Sequence, residues 1–379
     1  MKTVGIICEY NPFHNGHKKQ IDTIRARFGP DCAVVSLMSG NFVQRGAPAI
    51  FHKSLRAQAA LMSGADLVLE LPITYALSSA EGFAAGGVKI LSSFCDALCF
   101  GTETGDLESL TAAAKALLSP EFRDALRQQL DKGVSFPVAR AAGLKEHAEL
   151  LQRPNDILAV EYCKAILSQK SPMQPMPIIR QGNYHDTNAD LENPSATAIR
   201  NLMCSGDNWE AFVPKAACDI FRGADTYSLA AGERAVLARL RCMTDEEFEA
   251  LPYGSEGLWR KFMHACRSQA SIEAIIAETK SKRYTRTRID RMLMCAYLGI
   301  TQEMLAQSAP YTRVLALNDT GRAALKRARL SGEFPHVGEA VDDPYWALEQ
   351  RAADLYALFR TSFPAPAGQE AMQRIFFKE

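Results

Sequence analysis

Two histidines and a glycine follow the first apolar run of this chain, in an arrangement that can bind phosphate. The run Val4–Cys8 leads into E-Y-N-P-F-H-N-G-H at 9–17, and a helical pattern begins at about Gly16. Glycine has no Cβ, so a nucleotide can approach its backbone closely, and the free N–H groups of a helix start attract phosphate. His14 and His17 can donate hydrogen bonds to oxygens that gain negative charge when phosphorus is attacked. The pattern favours a nucleotide phosphate site.

Two other interpretations of the histidine pair stay open at this point. An H-x-x-H spacing also occurs in polar surface turns, and it is compatible with a metal site. A metal site has less support, because no carboxylate or cysteine lies at a helpful local spacing beyond Glu9. The chain has no G-x-x-x-x-G-K-[ST], and no G-x-G-x-x-G follows its first strand, so neither of these phosphate-binding loops is predicted.

A second candidate phosphate-binding element is S-A-T-A-I-R at 195–200, which follows the last predicted strand of the first half and opens a helix. Hydroxyl groups at a helix start can bind phosphate oxygens together with the backbone N–H groups. Arg200, five residues after Ser195, adds a guanidinium group suited to phosphate. Ser195, Thr197 and Arg200 together can hold a triphosphate tail.

The elements that must position these groups alternate along the first half of the chain. Helical stretches separate five strand-like runs, which are Val4–Cys8, Ala33–Met38, Asp66–Leu71, Ala97–Phe100 and Ile178–Arg180. Such alternation predicts βαβ units and a Rossmann-like, doubly wound parallel sheet. After Gly206 the pattern is helical, with no convincing run of alternating strands. We therefore predict a catalytic domain at 1–205 and a mainly α-helical domain at 206–379.

Composition narrows the class of protein. The chain has 379 residues, 47% of them hydrophobic, and 43 basic residues balance 43 acidic ones. Zero net charge excludes a protein that coats nucleic acid by bulk charge. No apolar run approaches the roughly 18–20 residues of a membrane span, and the amino terminus does not look like a secretory signal. Ten cysteines without a C-x-x-C pair indicate reduced thiols. These features predict a cytoplasmic protein with no membrane partner.

One segment of the second half is basic. Between Arg260 and Arg291 nine basic residues face three acidic ones. Its centre, K-S-K-R-Y-T-R-T-R at 280–288, alternates cations with hydroxyl groups and one tyrosine. Cations can contact RNA phosphates and an aromatic ring can stack on an unpaired base. A solvated helix face is the alternative interpretation of such a charge run.

A longer set of motifs resembles a known family. H-N-G-H and S-A-T-A-I-R are similar to the paired signatures of HIGH-type nucleotidyltransferases. The ordered set resembles the bacterial tRNA(Met) cytidine acetate ligases and comprises G-I-I-C-E-Y-N-P-F-H-N-G-H at 5–17, S-G-N-F-V-Q-R-G at 39–46, G-A-D-L-V-L-E-L-P at 64–72, F-G-T-E at 100–103, R-P-N-D-I-L-A-V-E-Y at 153–162, Y-H-D at 184–186, S-A-T-A-I-R at 195–200, K-R-Y-T at 282–285 and Y-T-R-V-L at 311–315.

The resemblance implies an activity. Members of the family use ATP to convert acetate to acetyl-adenylate with release of pyrophosphate, and they transfer the acetyl group to N4 of the wobble cytidine of elongator tRNA(Met). ATP, acetate and this tRNA are therefore the expected partners, and Mg²⁺ is expected with the triphosphate although no ligand site is identified. Two alternatives remain: an adenylyl- or cytidylyltransferase for a small phosphorylated metabolite, and an RNA-binding protein with a vestigial nucleotide site.

The resemblance also assigns residues. His14 and His17 become the catalytic pair on the ATP phosphates. The other ATP-contacting positions it implies are Ile7, Cys8, Glu9, Tyr10, Asn11, Pro12, Phe13, Asn15, Gly16, Gln20, Gly101, Asn155, Arg180, Ser195, Thr197 and Arg200. The tRNA-contacting candidates are Lys280, Lys282, Arg283, Tyr284, Arg286 and Arg288.

Some residues receive weaker assignments. Asn41, Gln44 and Arg45 are polar enough to border the acetate or the tRNA. His185 is a further candidate for lining the site, in the Y-H-D run. We interpret the remaining histidines as structural, namely His52, His147, His264 and His336.

Overall fold

The computed structural model describes residues 1–180, 194–307, 311–331 and 344–378. The Y-H-D motif with His185, and also His336, lie outside these residues. Among the helices of the described ranges, none has the length and apolar character needed to cross a bilayer. The strands are β1 (Thr3–Cys8), β2 (Ala33–Ser39), β3 (Phe42–Val43), β4 (Ala47–Pro48), β5 (Leu67–Leu71), β6 (Ala97–Thr102), β7 (Gln174–Ile179), β8 (Arg313–Asn318) and β9 (Phe376–Lys378).

Seven strands form one sheet in the order β7-β6-β1-β2-β5-β8-β9. All neighbouring pairs are parallel except β5 and β8, and β3 and β4 form a separate antiparallel hairpin. The chain runs from β1 outward through β2 to β5, and it then returns to β6 on the other side of β1. This reversal opens a crevice at the carboxyl ends of β1 and β6, where doubly wound sheets bind ligands.

Helices cover both faces of this sheet, which explains why its central strands are apolar along their whole length. Every residue of β1, β2 and β5 is buried, as expected of parallel strands with helices on both sides. The first half contains α1 (Asn15–Phe28), α2 (Lys53–Met62), α3 (Ile73–Ala76), α4 (Ala80–Leu91), α5 (Leu107–Leu118), α6 (Pro120–Asp131), α7 (Phe136–Leu144), α8 (Pro154–Ser168) and a 3₁₀ helix at Lys145–Leu151.

The second half is mainly helical. Its helices are α9 (Ala196–Ser205), α10 (Lys215–Phe221), α11 (Leu229–Cys242), α12 (Asp245–Glu249), α13 (Leu258–Ser268), α14 (Ile272–Thr279), α15 (Arg286–Leu298), α16 (Gln302–Ala306), α17 (Asp319–Ser331), α18 (Pro344–Tyr356) and α19 (Gln369–Met372), with 3₁₀ helices at Glu210–Phe212 and Ala357–Phe359. Its apolar core also takes in Phe42, Ile73 and Leu77 from the first half. The helical region therefore packs directly against the loops at the carboxyl ends of the strands.

Two strands follow residue 206 within the mainly helical second half. β8 and β9 extend the main sheet, with Leu67 opposite Leu317 in the antiparallel pair. Gly321, just after β8, lies so close to the Asp66 carbonyl that a Cβ there would overlap it. The strand at 313–318 is short and lies among helices, and it is stabilised by pairing with residues far away in the chain. Local patterning carries no signal of such a pairing. The domain boundary near 206 stays a prediction.

Five charged side chains meet in the interior where the two halves join. Lys53 Nζ lies 2.6 Å from Glu70 Oε1 and 2.6 Å from Glu370 Oε1, and Arg313 also pairs with Glu370. Glu349 accepts a hydrogen bond from the backbone N–H of Ile73 at 2.7 Å. Three carboxyl groups thus share two cations. Burial and the nearby Glu70 charge raise the pKa of Glu349 to about 7.

This excess of carboxyl groups predicts a pH-dependent stability. A carboxyl whose pKa is raised by folding contributes stability at low pH that is lost as the pH rises through its folded pKa. We expect Glu349→Gln, whose amide oxygen can still accept from Ile73, to lose this dependence. Between pH 5 and pH 8 the free energy of unfolding of the parent protein should fall relative to that of the variant by about 1–3 kcal/mol.

Urea unfolding of both proteins at the two pH values measures this difference. Glu249→Gln, which removes an exposed carboxylate, is the control for the loss of one negative charge. A parent and a Glu349→Gln variant whose stabilities change in parallel with pH would show that Glu349 does not hold a proton in the folded state.

Candidate active site

The two histidines lie at the amino end of α1, directly after β1. His14 is the capping residue of α1, and its Nδ1 accepts from the Gly16 N–H at 3.1 Å. The His14 N–H in turn donates to Nδ1 of His17 at 3.2 Å. The two imidazole rings stack with centroids 3.7 Å apart. This reciprocal cap fixes both rings at the crevice, as a capping box does with other residue types.

The cap also determines which ring nitrogens carry protons. Each Nδ1 accepts a backbone N–H, so in the neutral ring the proton must lie on Nε2. Burial lowers the pKa of His14 to about 3, assisted by the charges of Arg180 and Arg200. Burial, the neighbouring His14 and Arg180 lower the pKa of His17 well below its ordinary value. At neutral pH both residues are therefore neutral Nε2–H donors.

The S-A-T-A-I-R element forms the opposite wall of the crevice. Arg200 donates from Nη1 to the backbone carbonyl of Asn11 at 2.7 Å and from Nη2 to Thr197 Oγ1 at 3.1 Å. Ser195 stands at the capping position of α9 without making a capping hydrogen bond. The first N–H groups of a helix such as α9 are suited to binding an anion. The two predicted phosphate elements are joined directly, through Arg200 and Asn11.

Three predicted ATP-contacting residues lie together on the β6 side. Gly101 is in β6, and a Cβ on it would overlap the Arg180 side chain, so glycine allows this arginine to lie across the strand. Arg180 Nη1 lies 3.5 Å from Asn155 Oδ1. Asn155 Nδ2 donates to Glu103 Oε1 at 2.6 Å. The side of the crevice formed by β6, β7 and α8 thus presents an arginine and an amide.

Glu103 and Asp156 build this side, and sequence reasoning did not assign them a role. Glu103 accepts from the backbone N–H groups of Asn155 at 3.2 Å and Asp156 at 2.8 Å, at the start of α8. The buried Asp156 carboxylate accepts from the N–H of Glu103 and from the Thr102 hydroxyl. The signal was present in F-G-T-E and R-P-N-D, because an acidic side chain after a strand and another at a helix start are typical helix-capping residues.

Other predicted ATP-contacting positions of the 7–20 segment make contacts within the protein. Tyr10 and Phe13 are buried, and the Tyr10 hydroxyl lies 2.9 Å from Ser36 Oγ. Cys8 is buried in the core, with its Sγ near the Leu37 carbonyl. Asn15 Nδ2 donates to the Ala211 carbonyl at 3.0 Å. Ile7 is also buried, and Gln20 lies 3.5 Å from the Cys99 carbonyl.

A fully buried arginine that sequence reasoning missed supports the loop after β1. Arg56 donates to the backbone carbonyls of Glu9, Ser39, Gly40 and Phe51. The carbonyls of Glu9, Ser39 and Gly40 lie at the carboxyl ends of β1 and β2, and that of Phe51 lies just before α2. Asn41 is also structural, since its side-chain oxygen accepts from the Lys53 N–H at 2.9 Å. His52 caps α2, in agreement with its structural interpretation.

The S-G-N-F-V-Q-R-G loop connects the site to the helical region. Its residues include the hairpin of β3 and β4. Gln44 N–H donates to Glu9 Oε1 at 2.8 Å. A Cβ on Gly46, whose φ is 78°, would overlap the backbone of Asp290 and Arg291 in α15. The same short hairpin thus contacts the loop after β1 and the helix that follows the basic segment.

Several arginines of the basic segment already have partners within the protein. Arg286 pairs with Glu273 at 2.5 Å and Arg283 pairs with Glu256 at 2.8 Å. Arg288 donates to the Tyr253 carbonyl at 2.9 Å. Lys280 and Lys282 are exposed, and within the described part of the chain neither forms an ion pair. The two lysines are therefore the most accessible cations of the segment.

The prediction that Tyr284 stacks on an RNA base is wrong. Its side chain is only 9% exposed and belongs to the core of the helical region. Its hydroxyl donates to the Glu256 carbonyl at 3.0 Å, and the Arg288 guanidinium lies over its ring. A ring covered in this way has no free face for a base. The charge pattern of the basic segment does not indicate that Tyr284 packs into an apolar core.

Comparison with known proteins gives a consistent result. The family described as HIGH Nucleotidyl Transferase matches residues 1–370. The tRNA(Met) cytidine acetate ligase of Acetivibrio thermocellus is 36% identical over 416 residues, which cover 99% of each chain. That of Alkaliphilus metalliredigens is also 36% identical and covers 94% of each chain.

Two solved structures are similar over the full length of both chains. The crystal structure of Thermotoga maritima TmcAL in an apo form has a TM-score of 0.92 at 30% identity. The crystal structure of T. maritima TmcAL bound with alpha-thio ATP has a TM-score of 0.88 at 29% identity. Both similarities cover all of this chain, including the helical region and the two added strands.

Proposed function

Because this chain belongs to the tRNA(Met) cytidine acetate ligases of the HIGH nucleotidyltransferase family, we propose that it joins acetate to tRNA(Met) at the expense of ATP. The first step activates acetate as acetyl-adenylate and releases pyrophosphate. The second step transfers the acetyl group to N4 of the wobble cytidine and releases AMP. The tRNA substrate implies that the enzyme works in the cytoplasm.

The observation that carries this proposal is the arrangement of donors around the crevice. Two neutral Nε2–H donors, the start of α9 and the Arg200 guanidinium lie beside the loop after β1. Acetate is an anion at neutral pH, so its attack on the α-phosphorus needs no general base. The step needs alignment and stabilisation of the charge that develops on the phosphate oxygens. His14, His17 and Arg200 can supply both.

The residues of each wall suggest where parts of ATP bind. We infer that His14 and His17 donate to the phosphates and that Ser195, Thr197 and Arg200 face the β- and γ-phosphates. Gly101, Asn155 and Arg180 occupy the β6 side of the same crevice. The triphosphate is expected to bring Mg²⁺, which prefers phosphate oxygens and water. In the described ranges, no group of three or more His, Cys, Asp or Glu residues could hold a metal ion.

The activation of acetate compensates for the low reactivity of the cytosine amine. The lone pair of the cytosine amine is delocalised into the ring, which makes the amine a poor nucleophile. An acyl phosphate anhydride such as acetyl-adenylate is reactive enough, but water attacks it as well. A closed site that keeps water away is therefore needed. The hairpin of β3 and β4, which contacts both the loop after β1 and α15, is a candidate for this closure.

The test is ATP consumption with pyrophosphate release, measured with and without acetate and with and without bacterial tRNA. Turnover that depends on acetate, with labelled acetyl recovered on tRNA cytidine, is the expected result. Turnover with a phosphorylated metabolite in place of acetate would instead identify a small-molecule nucleotidyltransferase. RNA binding without turnover would identify a vestigial nucleotide site.

We also propose that tRNA contacts the basic segment, chiefly through Lys280 and Lys282. Replacing both lysines by Ala should weaken tRNA binding and reduce the slope of log K against log salt by about 1.4–1.8, because each phosphate contact contributes about 0.7–0.9. Acetate-dependent ATP–pyrophosphate exchange should not change. Arg286→Ala should have less effect, since Glu273 already neutralises this residue.

Filter binding at several salt concentrations measures the slope. Lys115→Ala, which removes an exposed cation from α5, is the matched control. Equal slopes for the parent and the double variant would place the tRNA phosphates elsewhere.

A further inference from the structure

The resemblance includes Glu9 among the ATP-contacting positions, but its carboxylate is hydrogen-bonded on the side of β1 that faces away from β6, and this contact revises the assignment. Glu9 immediately follows β1, and its Oε1 accepts the Gln44 N–H at 2.8 Å. Gln44 belongs to the hairpin at the carboxyl end of β2, whereas the nucleotide crevice lies between β1 and β6. The hydrogen bond therefore holds the carboxylate on the β2 side of β1, opposite the wall formed by Gly101 and Arg180.

The environment of this carboxylate leaves one oxygen available. Glu9 is half-buried, and it forms no ion pair with a described residue. Arg56 donates to the backbone carbonyl of Glu9 and thereby fixes the main chain beneath the side chain. Oε1 is occupied by Gln44, and Oε2 has no hydrogen-bond partner among the described residues. The hydrogen bonds from Arg56 and Gln44 therefore fix the position of Glu9, and Oε2 can accept a further hydrogen bond.

An anionic carboxylate is poorly suited to a triphosphate. Two negative charges in one crevice repel each other, and the phosphate donors already present are neutral or cationic. A carboxylate is well suited to an amine, because Glu and Asp accept hydrogen bonds from the N4 amine of cytosine. The side of β1 on which Glu9 lies is also the side that leads to the helical region, through the contact of Gly46 with α15.

These observations fit the second half-reaction. Building on the proposed tRNA acetylation, we propose that Glu9 is the catalytic residue that binds the cytosine N4 amine and takes its proton during acetyl transfer. The amine nitrogen bonds to the acetyl carbonyl carbon, and the bond from that carbon to the phosphate oxygen breaks. AMP leaves with the electron pair. The proton from nitrogen passes to Glu9 and then to water.

The variant Glu9→Gln separates this role from ATP binding. Its amide oxygen can still accept from Gln44, but it cannot take a proton. Acetate-dependent ATP–pyrophosphate exchange should stay within about 3-fold of the parent, and acetyl transfer to tRNA should slow by about 100-fold, the lower end of the usual contribution of a general base. The acetyl-adenylate formed should still be trapped by hydroxylamine at the parental rate.

Two further variants make the test specific. Glu9→Asp keeps the carboxylate but withdraws it by one methylene group, and it should show the same split with a smaller loss. Glu121→Gln removes an exposed carboxylate and should leave both half-reactions unchanged. Exchange also reports folding, because it requires an intact nucleotide site.

The possible outcomes are distinguishable. A Glu9→Gln variant that loses exchange as strongly as transfer would place Glu9 in the ATP site and overturn the inference. Transfer at the parental rate would overturn it as well. Absence of acetate-dependent exchange in the parent protein would reject the proposed function itself, before any variant is compared.

Discussion

Replacing His17 by Gln is expected to slow acetyl-adenylate formation by about 10²–10³-fold while the protein stays folded. Removing one well-placed donor to a developing oxyanion typically costs this much in rate. Gln can keep the helix start intact, because its side-chain oxygen can accept the His14 N–H as a capping-box Gln does. The loss should therefore appear in kcat for acetate-dependent ATP–pyrophosphate exchange.

His14→Asn tests the other histidine in the same way. Asn is among the best helix-capping residues, and its side-chain oxygen can accept the Gly16 N–H in place of Nδ1. It cannot extend a donor to the place that Nε2 reaches. We expect a similar loss of rate, with little change in the melting temperature measured by calorimetry. His264→Asn, at an exposed position, is the control for loss of an imidazole.

The same pair predicts how the rate responds to pH. Burial holds the pKa of His14 at about 3, so the ring stays neutral from pH 8 down to pH 6. Exchange should therefore not fall across this range through protonation of the two histidines. A rate that follows a group of pKa near 6.5 and loses that dependence in either variant would contradict the neutral-donor assignment.

The position of the site could be predicted from the sequence, and its chemistry only in part. H-N-G-H after the first strand and S-A-T-A-I-R at a helix start indicated the two walls, which Arg200 and Asn11 join in the structure. The neutral Nε2–H state of the histidines could not be predicted. It depends on the reciprocal cap and on burial, which exist only once the helix is packed.

The elements that sequence reasoning missed share a physical cause. β8 and β9 depend on pairing with strands more than 240 residues away or with each other. Arg56 was hidden because a charged side chain is expected on the surface, whereas here four backbone carbonyls compensate its burial. Tyr10 has a φ of 45°, a backbone conformation that the local sequence pattern does not predict. Long-range contacts determine the added strands and the burial of Arg56.

The second large effect is expected at Arg200, which links the S-A-T-A-I-R element to the loop after β1. Arg200→Lys should reduce kcat/KM for ATP in the exchange reaction by about 10²-fold or more. The planar guanidinium reaches the Asn11 carbonyl at 2.7 Å and Thr197 Oγ1 at 3.1 Å, and we propose that it also contacts phosphate. A lysine ammonium is a point charge that cannot match this fork, so either the walls separate or the phosphate loses its donor.

Two controls separate positioning from charge. Arg222→Lys alters an exposed arginine paired with Glu210 and should leave exchange unchanged. Thr197→Val removes one partner of Arg200 and a proposed phosphate ligand while keeping the charge, so it should raise KM for ATP by a smaller factor. Exchange by Arg200→Lys within about 3-fold of the parent would show that charge alone suffices at this position. The geometry argues otherwise, because the backbone carbonyl that Arg200 holds lies only three residues before His14, and a shift of the loop there moves the catalytic pair.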